Sequence, residues 1–117
     1  MHYTHYCEIY AGTLELLRKI PGVTEVDVDS TGGGLYAITV KLGDGSFFLL
    51  TDTDGLDWER KDAECWTLGH YLADGEWDES FAGSGNLFTP GLVTDEAAVA
   101  LVTIGIAAIP DTPGATV

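Results

Sequence analysis

Apolar positions in the first twenty residues recur at alternating spacings of four and three: Tyr3, Cys7, Tyr10, Leu14, Leu17. That is the period of a helix with one apolar stripe, and it predicts a helix from Thr4 to about Lys19. His5, Glu8, Gly12, Glu15 and Lys19 fall away from the stripe, Glu15 and Lys19 stand one turn apart as an ion pair, and Pro21-Gly22 closes the element. From Thr24 the period changes to two, which is the signature of strands. Thr24, Val26 and Val28 alternate with Glu25, Asp27 and Asp29, so the first strand has one apolar and one carboxylate face. Tyr36, Ile38, Val40 and Leu42 form the next inward row, and Gly43-Asp44-Gly45 turns the chain into Phe47 to Leu50. A second hairpin is expected from Cys65 to Leu72, through Ala73-Asp74-Gly75-Glu76, to Trp77 to Phe81.

Ala97 to Ile109 is an apolar run broken by Thr103 and Gly105. It is shorter than the roughly 20 residues that span a bilayer, so it reads as a buried helix. Thr94 is the expected N-cap, Asp95 and Glu96 complement the helix dipole, and Pro110 ends it. A helix apolar almost all round should be covered on more than one side, by a sheet and by a second subunit. The predicted fold class is therefore α+β: an N-terminal helix, an antiparallel meander of about five strands, and a buried C-terminal helix. Residues 1–110 are expected to form one domain and 111–117 a flexible tail, with no prediction of strand order.

Charge changes the picture most. The chain has 117 residues with 19 Asp and Glu against 5 Lys and Arg, a formal net charge of -14. Such a surface repels nucleic acid and anionic membrane and attracts basic protein surfaces. The bland reading is that acid only keeps a small domain soluble. Disorder is excluded by a slightly positive mean hydropathy and by three Trp, five Tyr and four Phe. The first residues offer neither a basic region nor a following apolar one, so no secretory signal is expected and the protein reads as cytoplasmic.

Candidate chemistry is sparse. Asp52-Thr53-Asp54-Gly55-Leu56-Asp57 resembles half of a calcium loop, but with Gly55 at the invariant glycine, Leu50 falls at the first ligand and Lys61 where the bidentate Glu belongs. Gly32-Gly33-Gly34 precedes a strand rather than a helix, so it reads as a flexible connector and not a phosphate cradle. Cys65 and His70 lie five residues apart on one strand and so face opposite ways, while Cys7 falls on the apolar stripe. His2, His5 and Cys7 are a weak metal set at the chain's start. No catalytic, cofactor or metal residue is assigned, and the chain is read as non-enzymatic; a deep pocket holding His70 beside a carboxylate would revive an enzyme reading.

What remains is a binding surface. Large aromatics are interleaved with acid in Asp57-Trp58-Glu59 and Glu76-Trp77-Asp78-Glu79, so that carboxylates steer a basic partner and Trp anchors it. Trp66 is expected in the core and Trp58 partly exposed. The partner-binding residues assigned are Glu25, Asp27, Asp29, Asp52, Asp54, Asp57, Trp58 and Glu59. DNA mimicry is the second reading: one strand offers a carboxylate every 6.6 Å or about that, against roughly 3.4 Å between phosphates, so a second row from 52–64 would be needed. Self-assembly of a homodimer through the C-terminal helix is the third.

Ser30-Thr31-Gly32-Gly33-Gly34-Leu35-Tyr36-Ala37-Ile38, Leu42-Gly43-Asp44-Gly45, Leu50-Thr51-Asp52-Thr53-Asp54-Gly55 and Gly69-His70-Tyr71-Leu72-Ala73-Asp74-Gly75-Glu76 resemble small acidic proteins of actinobacteria and their phages. The resemblance covers roughly the middle half of the chain and rests on turn and strand chemistry. It transfers no functional residue. It implies a bacterial or phage origin, where small acidic proteins often bind and disable a host protein.

Overall fold

A computed structural model describes residues 2–52, 55–59, 65–83, 85–90 and 93–109. In chain order the elements are α1 (His2–Ile9), α2 (Ala11–Leu17), β1 (Val23–Gly32), β2 (Leu35–Leu42), β3 (Phe47–Thr51), β4 (Cys65–Tyr71), β5 (Asn86–Pro90) and α3 (Asp95–Ala108). The strands form one antiparallel sheet in the order β1-β2-β3-β4-β5, an α+β fold with a helix at each end of the meander.

Alternation decides which face is covered. Val26, Val28, Ile38, Val40, Phe48, Leu50, Trp66 and Leu68 point to one side and join Tyr6, Tyr10, Leu14, Leu17, Leu101 and Val102 from the helices in a single core. Trp66 is fully buried, as its pattern predicts, and its indole N–H donates to the Thr94 carbonyl at 2.8 Å. Gly105 lets α3 lie close on the sheet, because a Cβ there would stand 2.6 Å from Leu68 Cδ2.

The first helix is two helices. Tyr10, at φ −107° and ψ 15°, breaks the predicted stretch and points its ring into the core beside Tyr6 and Trp66. The inward stripe is consequently Tyr6, Tyr10, Thr13, Leu14 and Leu17, while Tyr3 is exposed and Cys7 is half-buried and free. Gly12 and Thr13 then seat α2 on the start of α3: the Thr13 hydroxyl donates to Asp95, and a Cβ on Gly12 would fall 2.7 Å from the Asp95 carboxylate. The Glu15–Lys19 pair forms on the exposed side at 3.8 Å.

The fifth strand is also elsewhere than its pattern predicts. The turn at Leu72–Glu76 closes as expected, but Trp77 makes only an isolated bridge to Tyr71. Asp78 then binds His70 and accepts from the Ser80 N–H and hydroxyl, and the chain leaves through a short 3-10 turn at Phe81–Gly83. Asn86–Pro90 pairs with β4 in its place.

Gly33 and Gly34, with φ of 60° and 82°, form the two-residue turn between β1 and β2, so the glycine run is a tight hairpin turn and not a loose connector. Thr94 caps α3 by accepting from the Ala97 N–H at 3.1 Å. α3 buries Ala98, Leu101, Val102 and Gly105 and packs against α2 as well as against β4 and β5, so it is covered on more than one side as its apolar pattern predicts, while Ile104 is exposed. No described helix is long and apolar enough to cross a membrane. The predicted tail at 111–117 lies outside the described residues.

Candidate partner-binding site

β1 is an edge strand, and its outward residues are the three carboxylates the alternation predicts. Glu25 is exposed and pairs with Lys41 directly across the ladder at 3.6 Å. Asp29 is exposed, and its carboxylate makes no hydrogen bond or ion pair among the described residues. Asp27 is half-buried: it accepts the Tyr3 hydroxyl at 2.8 Å and the Val28 N–H at 2.9 Å. That bond with Asp27, reinforced by nearby Cys7, pushes the Tyr3 phenol up to about 12. Charged side chains along a free strand edge also oppose edge-to-edge pairing with another copy, which is the structural role available to this row. Arg18 occupies part of the same edge by donating to the Val26 carbonyl at 3.0 Å.

Trp58 stands on the other side of α1 from this row. The residue is 46% exposed, as expected of it, and its ring is held by α1: His5 stacks on it with centroids 3.6 Å apart, and His2 and Tyr6 meet it edge-on. Tyr3 on Asp27 and His5 on Trp58 therefore make α1 the element that joins the acidic strand to the exposed tryptophan. Sequence periodicity did not bring out this bridging role, because both contacts come from residues on opposite sides of the helix.

The loop after β3 is placed differently from its expectation. Asp52 is 1% exposed, so its carboxylate lies inside the protein and is not part of the surface. One oxygen accepts the Tyr10 hydroxyl and the other the Asp57 N–H at 3.0 Å, while the Asp52 N–H donates to the Gly55 carbonyl at 3.1 Å. Both oxygens of Asp52, the first carboxylate of the calcium-like stretch, are thus engaged by protein donors. Asp57 is half-buried and its carbonyl receives a second, longer contact from Tyr10. Glu59 is exposed, and Asp54 lies outside the described residues. The second acidic row that DNA mimicry needs accordingly loses Asp52. Among the described residues no cluster of three or more His, Cys, Asp or Glu could hold a metal ion.

A second polar feature was only half visible in the sequence. His70 is buried between Phe48 and Phe81, its Nδ1 lies 2.9 Å from Asp78 Oδ2, and its buried Nε2 has no partner. The His70 and Ser80 hydrogen bonds hold the Asp78 carboxyl below the usual carboxylate range, and Ser46 does the same for Asp44. Here the carboxylate neighbour exists, but the imidazole is 2% exposed and lies inside the core. Cys65 and His70 face opposite sides of β4, as parity requires.

Among the described residues one face of the sheet carries no helix. The helices all lie against the Trp66 and Leu68 side, and the opposite side carries two adjoining grooves of about 510 and 220 Å³ that share Thr31, Leu49 and Tyr71.

No family model, curated protein or solved structure matches this chain.

Proposed function

We propose that this chain is a non-enzymatic binding protein that docks a basic protein surface through the β1 carboxylates and the exposed Trp58. The observation that carries the reading is the joining of these two features by α1, with Tyr3 on Asp27 and His5 on Trp58. Long-range attraction from a net charge of -14 brings the partner in, and a half-exposed indole across α1 from the acidic row supplies apolar contact once it arrives. Resemblance to small acidic bacterial and phage proteins suggests inhibition of a host protein inside a bacterial cell as the purpose of that docking. DNA mimicry draws less support, since Asp52 is buried and a single row is too sparse. Self-assembly through α3 has one exposed Ile104 in its favour, and sedimentation at several concentrations separates it from partner binding.

The test is capture from a bacterial lysate on immobilised wild-type protein and on the Asp27→Lys/Asp29→Lys variant, washed at about 0.15 M and about 1 M salt. A defined protein held by the wild type at the lower salt, released at the higher and missed by the variant is the expected result. A protein retained equally by both, or retained at high salt, removes the acidic row from the interface.

A further inference from the structure

The geometry points to the uncovered sheet face as the place where an arginine-bearing segment of a partner protein lies; this rests on the reading of an acidic protein that binds a basic partner. Register across the sheet sets the surface. Lys41, Phe47, Tyr71 and Trp77 follow one another across β2, β3, β4 and the bridge beyond it, and the Phe47 and Tyr71 rings stack at 5.3 Å and 7°. Next to that aromatic row Ala37 and Thr39 are buried, and Gly69 has no side chain, with the Asn86 side chain standing over it. Leu49 and Tyr71 line both grooves.

Charge selects the occupant. Glu25, Asp27 and Asp29 run along the β1 rim of this face, and Asp29 lines the larger groove. At the groove's far end Gly75 lines it between the exposed Asp74 and Glu76. The one cation on the face among the described residues, Lys41, is already paired with Glu25. Aromatic faces beside the Asp29 carboxylate suit a planar guanidinium, which can stack on a ring while hydrogen-bonding a carboxylate. A second copy of this chain would bring acid against acid, and a nucleic acid would bring phosphate against it, so neither fits. Spacing between strands of about 4.8 Å puts the β1 rim roughly 14 Å from β4, the reach of a short peptide lying across the sheet.

The test titrates the isotope-labelled full chain with a short synthetic peptide that alternates Arg and Leu, at low salt, followed by amide chemical shifts. Shifts concentrated on Thr39, Phe47, Leu49, Thr67 and Tyr71 are expected. Tyr71→Ala should weaken peptide binding about fivefold or more, and Leu49→Lys should abolish it by placing a cation in the groove, each with the spectrum of a folded protein. Shifts confined to α1 and Trp58 would overturn this inference while leaving the broader reading standing. No binding of the peptide to the wild-type chain at low salt would overturn both.

Discussion

Asp52 shows how one residue type takes opposite roles in an acidic chain. Surrounded by Thr51, Thr53 and Asp54 in sequence, it looks like one more surface carboxylate, yet it is the polar bolt between α2's approach and the loop after β3. Tyr10→Phe should therefore lower stability by about 1–3 kcal/mol, because a buried carboxylate loses a hydrogen-bond donor; urea unfolding measures it, and an unchanged midpoint would show that the hydroxyl is dispensable. Nothing local distinguishes Asp52 from its neighbours, since the partner is 42 residues away. Two other carboxylates set the acid side of the stability profile. Asp44 and Asp78 are held below the ordinary range in the fold, so each stabilises it above pH of about 4, and that contribution is lost as pH falls through the lowered folded value. Asp78→Ala should make the fall in Tm below about pH 4 shallower than in the wild type. Tyr3 works in the other direction: its raised phenol favours the fold below the ordinary tyrosine value and loses that effect as pH rises toward about 12. Asp27→Asn should bring this phenol back toward the ordinary range in a spectrophotometric titration.

Elements were legible where local pattern and tertiary structure agree. β1 and β2 alternate apolar and polar positions, β3 is a short apolar run after a strong turn, and α3 has a cap, an acidic first turn and a long apolar body, so each lies where its pattern predicts. Thr94→Ala should cost about 1 kcal/mol by removing that cap, read as a shift in thermal midpoint. Failures came from long-range contacts that periodicity does not carry. A three-four spacing runs unbroken through Tyr10, but the bond to Asp52 and the packing on Trp66 hold that residue out of helical geometry. Trp77 to Phe81 looks like a strand until His70 takes Asp78. β5 is short and ends in Pro90, which leaves little signal. Gly85 matters to this region, because it sits at φ 91° with the Trp77 ring where a Cβ would go, 2.2 Å away. Gly85→Ala should displace that ring and destabilise the protein by about 1–3 kcal/mol, with a change in tryptophan emission; unaltered emission would mean that Trp77 is not seated there. Of the candidate site, the β1 carboxylates and the exposure of Trp58 were readable. The α1 bridge between them and the uncovered face were not, since both depend on how helices dock on the sheet.

Across the whole molecule the charge is divided unevenly between uses. Some carboxylates are structural, as at Asp52, Asp44 and Asp78, and others line the β1 edge and the rim of an open sheet face. A net charge of -14 opposes compaction, so thermal stability should rise as salt screens it, while association with a basic partner should slow under the same conditions. These opposite responses separate docking from mere solubilisation. The most direct measurement is the association rate of a labelled arginine-rich peptide with the wild-type chain and with the Asp27→Lys/Asp29→Lys variant, followed from low salt to about 0.3 M. A wild-type rate that falls about tenfold or more with salt, and a variant rate that is slow throughout, is the predicted result. Rates that are equal for the two proteins and flat with salt would contradict the account.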